Sequence, residues 1–428
     1  MAELAPAIAR QWAAPRPGEA VELAALRNDA MARFERQGLP TPRVEAWRYT
    51  RLANMAQIPF AAPANDGAPV TAPAPLLADA LRILLVNGRL RPDLAPLPAL
   101  PAGLAVRGIT EALAADPALA GALGAEAEPM VSLNAALLSG GVLIELAPGT
   151  ALDRPIELVS VGSAGPGAPV AFHPRHLLRL GEGSALTLLE SHVGSGAYWS
   201  NPVLQAELAR GARLTHLKLQ EEAPEAFHIA HGAVRLAAEA RYDALVLQGG
   251  AALARHALRI ALDGAGAACS VSGLYLGRGR QHLDNTLEVI HAAPGASSRQ
   301  LFKGVLADRA RGVFQGRIVV ERGAQKSDGQ QLCRTLLLSD QAEIDIKPEL
   351  EIYADDVKCS HGATAGDIDD DALFYLRARG IDRSTARRML IEAFFGELLD
   401  EVEDEPLRLA LGGRVRSWLA GLADEESR

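Results

Sequence analysis

Cysteine is scarce in this chain. Cys269, Cys333 and Cys359 are widely spaced and odd in number, which excludes a disulfide framework and a CxxC zinc knuckle. A reducing cytoplasm is therefore the expected setting. Aromatic residues are only 4% of the chain, too few for the base-stacking platforms of single-strand nucleic-acid binders. Cations are outnumbered, 43 Lys and Arg against 52 Asp and Glu, for a net charge of −9. That balance argues against a sequence-independent phosphate binder, so no nucleic-acid partner is expected. No apolar run approaches the ~18–20 residues that span a bilayer. The longest, such as Ile83–Val86 and Gly141–Leu146, read as buried strands, so no membrane partner is expected. The N-terminal MAELAPAIARQWAAP has no basic region followed by an apolar block, and no signal peptide is expected. There is no GxxxxGK[ST], GxSxG or HExxH, so no P-loop, serine elbow or zincin helix is present.

What is present is 428 residues, 49% of them hydrophobic and 22% charged, enough for two or three folded units. Residues 1–58 read as a helical segment. Leu23, Leu26, Ala30 and Phe34 recur at helical spacing, Pro17 suits the start, and Gly38 followed by Pro40 and Pro42 suits the stop. Residues 59–75 are Pro/Ala-rich and read as a mobile connector. Residues 76–139 read as a mixed α/β lead-in. In it, LRILLVNGRL forms a hairpin turning at Asn87-Gly88, and helices occupy Ile109–Leu123 and Met130–Leu138.

The strongest signal lies in residues 140–366. An apolar strand, a small-residue corner and another strand return at LGEGSAL, LARGARL, LAAEARY, DGAGAAC, AAPGASS and VERGAQK. The corners are Gly183, Gly211, Glu239, Gly266, Gly295 and Gly323, and they fall at an almost constant interval. A period so regular means one structural unit stacked on itself. The flanks alternate, as in Leu204-Ala206-Leu208, which is strand spacing. About 28 residues per unit with Gly-rich corners fits a coil of a parallel β-helix. At roughly 4.7–4.9 Å per coil, these five intervals give a rod of roughly 24 Å, with further coils at both ends and an exposed edge at each end.

Beyond Tyr353 the character changes. Residues 367–428 carry 15 acidic and 9 basic residues and read as a helical domain attached to one end of the rod. Asp369–Asp371 cap a first helix that ends by Gly380. Asp382 caps a second, with Ala386, Leu390, Ala393, Phe394 and Leu398 on one face. Pro406 starts a third, carrying Leu407, Leu411, Val415, Trp418 and Leu422.

All ten histidines lie between His173 and His361. His173 and His176, like His228 and His231, are three apart and point to opposite faces of a strand, which argues against either pair as a metal site. His192, His216, His256, His282 and His291 read as satisfied strand or corner residues. Cys269 and Cys333 read as core filler; Cys269 occupies the position of Leu186, Leu214 and Tyr242 in other coils. Cys359 and His361 differ. Two apart in DDVKCSHGATAGD, they face the same side of an extended chain. A thiolate and an imidazole suit iron or an iron–sulfur cluster, but two ligands leave such a site open for a partner to complete. Inert packing of Cys359 and a turn-capping His361 remain the alternative.

The stretch KSDGQQLCRTLLLSDQAEIDIKPELEIYADDVKCSHGATAGD and its continuation to Leu398 resemble the SufB/SufD family of iron–sulfur assembly proteins. GLPTPRVEAWRYT, VNGRL and Cys-Ser-His-Gly-Ala-Thr are similar to its SufD branch; the SufB branch typically has an acidic residue where this chain has Gly362. The resemblance implies a mainly β fold, a right-handed parallel β-helix with an N-terminal helix-containing region and a C-terminal helical domain. It implies a non-enzymatic scaffold subunit of the SufBCD complex, which assembles nascent clusters. The last strands would pair with SufB. The helical domain would dock the ATPase SufC through Arg379, Gly380, Ile381, Met389, Phe394 and Phe395. Cys359 and His361 would hold iron or a transient cluster shared with SufB, and this chain would bind no nucleotide. A stand-alone β-helix carbohydrate-active enzyme is the alternative, disfavoured by the few aromatics and the absence of paired carboxylates at coil spacing. An isolated chain could also pair its open edge with a second copy.

Overall fold

The computed structural model describes residues 5–14, 16, 21–63, 70–97, 99–124, 128–165 and 167–426. Its central strands are buried on both faces. In Arg241–Gln248, Tyr242, Ala244 and Val246 point one way, Leu245 and Leu247 the other, and all five are buried. A sheet with two apolar faces must be covered on both. The chain does this by winding two parallel sheets around a common interior and laying helices outside each. The two sheets have ten and eleven strands.

The register of the first sheet gives the coil length directly. Ala185 lies opposite Arg213, then Arg241, Ala268, Ser297, Asp328 and Lys358 in successive coils. The step holds to the sequence period as far as Ser297 and lengthens slightly toward Lys358. The architecture is the expected parallel β-helix, and Leu186, Leu214, Tyr242 and Cys269 stack in one inward row as the repeat requires.

One corner differs from the sequence reading. Gly183, Gly211, Glu239, Gly266 and Gly295 have φ of +65°, +66°, +61°, +69° and +68°. The N–H of each donates to the carbonyl just before the next corner. Gly295 donates to Gln325, so the sixth corner is Lys326, with φ +62°, and not Gly323. That coil is longer than the periodicity suggests. Lys326 accepts the left-handed backbone while glycine sits nearby without it.

The rod begins earlier than residue 140. Leu81–Val86 pairs in parallel with Ile156–Ser163 and turns through Asn87 and Gly88, φ +48° and +81°, into antiparallel Arg89–Leu90. The hairpin is therefore the rod's first edge. The expected helix Ile109–Leu123 is two, Ile109–Ala115 and Leu119–Gly124. Pro117 disfavours the helical conformation at Asp116, which is extended at φ −136°, ψ 89°. The next helix is Pro129–Ala136, capped by the Glu128 carboxylate.

Helix Val21–Gln37 buries Leu26, Ala30 and Phe34 and stops at Gly38, φ +70°. Its expected start at Pro17 lies outside the described residues. Phe34, Met31 and Trp47 pack with Leu133 on the outer face of the second sheet, at Trp199, Ile229 and Leu253. Of the connector 59–75, residues 64–69 also lie outside the described residues. Its near end is pinned rather than loose: Phe60 is fully buried, and the Ala61 N–H donates to Pro169 O at 2.8 Å.

The C-terminal helices are Asp370–Ala378, Arg383–Leu399 and Glu405–Glu426. Asp369 and Asp382 cap the first two as expected. The helices do not simply extend the rod from one end. Ile391, Phe395, Leu398, Leu407, Leu411, Val415 and Leu419 pack along the outer leucines of the first sheet, from Leu189 to Leu301. The buried face of the second helix is thus Ala386, Ile391, Phe395 and Leu398, rotated from the expected one, with Ala393 exposed. A row of leucines spanning several coils draws the helices back along the flank, because exposed it would be a large apolar patch. Lys303 to Glu397 (2.5 Å) and Arg299 to Glu401 (2.7 Å) fix the contact.

Candidate functional site at the open end of the rod

The segment carrying Cys359 and His361 is itself the last strand, Lys358–Gly366. It pairs with Asp328–Leu337 and ends its sheet, as Glu343–Ile352 ends the other. Cys359 lies opposite Gly329, and His361 opposite Gln331. Gln331 is buried and donates from Nε2 to Oε1 of Gln300 in the coil before it, at 3.0 Å. Side chains alternate along a strand, so Cys359 and His361 continue the inward rows of the rod at the point where no further coil covers them.

Their surroundings differ. Cys359 is half-buried and packs with Leu350 and Val357 against Ile318, Val320 and Ala324. Burial pushes its thiol up, a hydrogen bond with Gly329 backbone opposes that, and the Asp328 charge adds to the rise. His361 is exposed. The arrangement offers a soft sulfur and an imidazole nitrogen on one side of a strand whose outer edge is free, an incomplete ligand set.

Of the expected docking residues, Arg379, Gly380 and Met389 are exposed and Ile381 is half-buried. Gly380, φ +87°, makes the turn after the first C-terminal helix. Phe394 is half-buried beneath Lys303, whose Nζ lies 4.9 Å from the ring centre. Phe395 is a correction: it is fully buried in the seam between helix and rod and offers a partner nothing. On the C-terminal helices the exposed aromatic surface is that of Phe374 and Tyr375, 75% and 57% exposed.

Residues 162–394 match the family described as SUF system FeS cluster assembly, SufBD core domain, and residues 16–158 match the SufBD protein N-terminal region. The chain belongs to the SufBD family. It is 34% identical over 392 residues to the iron-sulfur cluster assembly protein SufD of Escherichia coli, covering 90% of each chain. It is 32% identical to a SufBD family protein of Synechocystis, covering 89% of this chain and 87% of that one. It is 38% identical over 251 residues to the chloroplastic protein ABCI7 of Arabidopsis thaliana, covering 58% and 53%. It is an iron–sulfur cluster assembly protein by family, and the core match includes Cys359 and His361. Among the described residues, no helix is long and apolar enough to cross a membrane.

A second constellation, inside this SufBD rod, was not legible as a cluster. Glu190 and Lys218 are opposite one another in adjacent coils and pair at 2.8 Å with nearly complete burial. His192 and His216 flank the same carboxylate, at 2.6 and 2.8 Å. Burial pushes Glu190 up, but Lys218 and His192 outweigh it and hold the carboxyl well below its usual range. His192 and His216 are thus strand residues with polar partners, as expected, and those partners belong to one buried charged network. The offset of one full coil from Glu190 to Lys218 was the available signal.

Proposed function

We propose that this chain is a scaffold subunit in iron–sulfur cluster assembly: it pairs through its last two strands with SufB and holds a nascent cluster, or its iron, with His361 and Cys359. The observation that carries the reading is the open rod end. Both terminal strands have a free edge, and an edge that long attracts a strand of matching kind. The thiol and imidazole stand at that edge, where a second chain would complete the ligand set. The cluster is cargo in this scheme. The chain itself is non-catalytic and binds no nucleotide; ATP is hydrolysed by SufC, docked on the exposed face of Phe374, Tyr375 and Met389 together with Arg379 and Ile381. Two SufC subunits drawing together would strain the seam with SufB and open the site. The setting is cytoplasmic.

The test is anaerobic reconstitution with SufB and SufC. His361→Ala abolishes cluster formation while the subunits still co-purify; an unchanged cluster yield removes His361 from the site. Docking is tested by Phe374→Asp with Tyr375→Asp, which abolishes SufC capture; capture at wild-type level refutes the docking face. Deleting residues 367–428 is a poor test, because it also strips the rod's outer leucines of cover.

The carbohydrate-enzyme alternative needs a groove with free carboxylates and stacking aromatics. A cleft of about 590 Å³ does lie between the N-terminal segment and the second sheet. Its Trp47 is buried under Arg255, and its Glu288 is held by Arg259 and Arg317, at 2.8 and 2.9 Å. The chemistry of that groove favours structure over hydrolysis.

A further inference from the structure

Beside the Glu190–Lys218 pair the interior holds a second carboxylate, Glu222. It follows strand Arg213–Glu221 at the corner between the sheets and is 5% exposed. Among the described residues its nearest partner is the imidazole of His228, whose Nδ1 lies 2.7 Å from Oε2. Its other polar neighbours are Gln220 Nε2, at 3.0 Å, and the hydroxyl of Tyr198. Lys218 is already engaged by Glu190. Burying a carboxylate without a fixed cation is costly.

His192 completes the group. The His192 and His228 rings lie 4.6 Å apart, centre to centre, and neither is exposed. One ring nitrogen of His192, Nε2, meets Glu190 Oε1 at 2.6 Å and also lies 3.1 Å from Lys218 Nζ; the other, Nδ1, has no hydrogen-bond partner among the described residues. A carboxylate that takes the N–H of an imidazole fixes its tautomer and aims the remaining lone pair, as behind metal-bound histidines. One ligand atom from each of His192, Glu222 and His228 lies within 4.8 Å of the others. Two imidazoles and one carboxylate suit a divalent first-row transition ion of the zinc or iron(II) class.

We propose that His192, Glu222 and His228 form an internal metal site of this class, distinct from Cys359 and His361 and independent of their role. The ion supplies the positive charge that Glu222 lacks and ties the first sheet to the second at one corner. The site is closed to solvent, so the ion enters as the chain folds.

The test uses the full chain carrying Cys359→Ser and His361→Ala, which removes the rod-end ligands. It is unfolded, refolded with Co(II), and desalted. The expected result is about one Co(II) per chain, with visible bands of a nitrogen–oxygen site, no thiolate charge-transfer band and two shifted imidazole N–H resonances. Adding His228→Asn or Glu222→Gln lowers retained metal at least tenfold, on the order of a lost ligand. Circular dichroism reports whether each variant folds; if neither does, the two imidazole resonances of the parent decide. A folded parent that holds no cobalt, cobalt without those resonances, or folded variants that retain it like the parent overturn the proposal.

Discussion

The two ends of the rod are finished in opposite ways. At the first, the parallel ladders stop against antiparallel strands: Arg89–Leu90 on one sheet and Leu104–Gly108 on the other. The neighbouring strands there are almost wholly buried; in Val142–Leu146 only Glu145 is not. At the last end, Lys358–Gly366 is mostly exposed and Glu343–Ile352 at best half-buried. The same backbone pattern is thus sealed at one end and left available at the other. An antiparallel cap uses up an edge within the chain, whereas an edge left parallel and uncovered is a template for another chain.

The sharpest way to break this contrast is at the sealed end. Gly141 has φ +122°, and a Cβ there would lie 1.8 Å from Arg175 O. Gly141→Val is expected to abolish folding, a loss on the order of 4 kcal/mol or more, read as soluble yield and circular dichroism. Next, Ile144→Ala at the sealed end removes a fully buried side chain and costs about 2–5 kcal/mol in denaturant unfolding. Ile352→Ala at the open end, where the side chain is 41% exposed, shifts the isolated chain by no more than about 0.5 kcal/mol while weakening capture of SufB. An equal cost at both ends would remove the distinction.

A finer probe is thiol chemistry. Burial pushes Cys269 up to about 12 and Cys333 up to about 11, while the Cys359 thiol, also raised, is less completely shielded at the open end. The thiolate is the nucleophile. Alkylation of the native chain is therefore expected at Cys359 first, slower than for a free thiol near neutrality and accelerating as pH rises toward its raised value. Mass spectrometry reads the order, and early labelling of Cys333 would contradict it. The smallest effect is on stability at His361. His361→Ala is expected to leave the unfolding midpoint unchanged within about 0.5 kcal/mol, since the side chain is exposed.

Much of this was legible because the rod repeats. The even spacing of the corners, the row shared by Leu186, Leu214, Tyr242 and Cys269, the Asn87-Gly88 turn and the Asp369 and Asp382 caps are local signals, and all are present. Gly323 was misleading for a physical reason: an unbranched L-residue can also take the corner, as Glu239 and Lys326 do, so glycine alone does not fix the register. The packing of the C-terminal helices along the flank depends on outer leucines contributed by separate coils, which no window of sequence joins. The buried network at Glu190 was hidden for the same reason. Its carboxylate and its lysine are a full coil apart in sequence and become neighbours only once the coils stack. Of the rod-end pair, the shared strand face was legible, while its place in the inward rows required the register.

The coils also change size along the rod. On the second sheet the step from Phe227 to Leu253 is short and the step from Arg311 to Glu343 is longer. The first sheet grows in the same direction, from the step between Arg241 and Ala268 to the step between Ser297 and Asp328. The coils near the mouth therefore carry more residues per turn than those at the waist. A chain that extended both terminal strands would have to match these longer steps on two sheets at once, so coil length as well as side chains would set what fits.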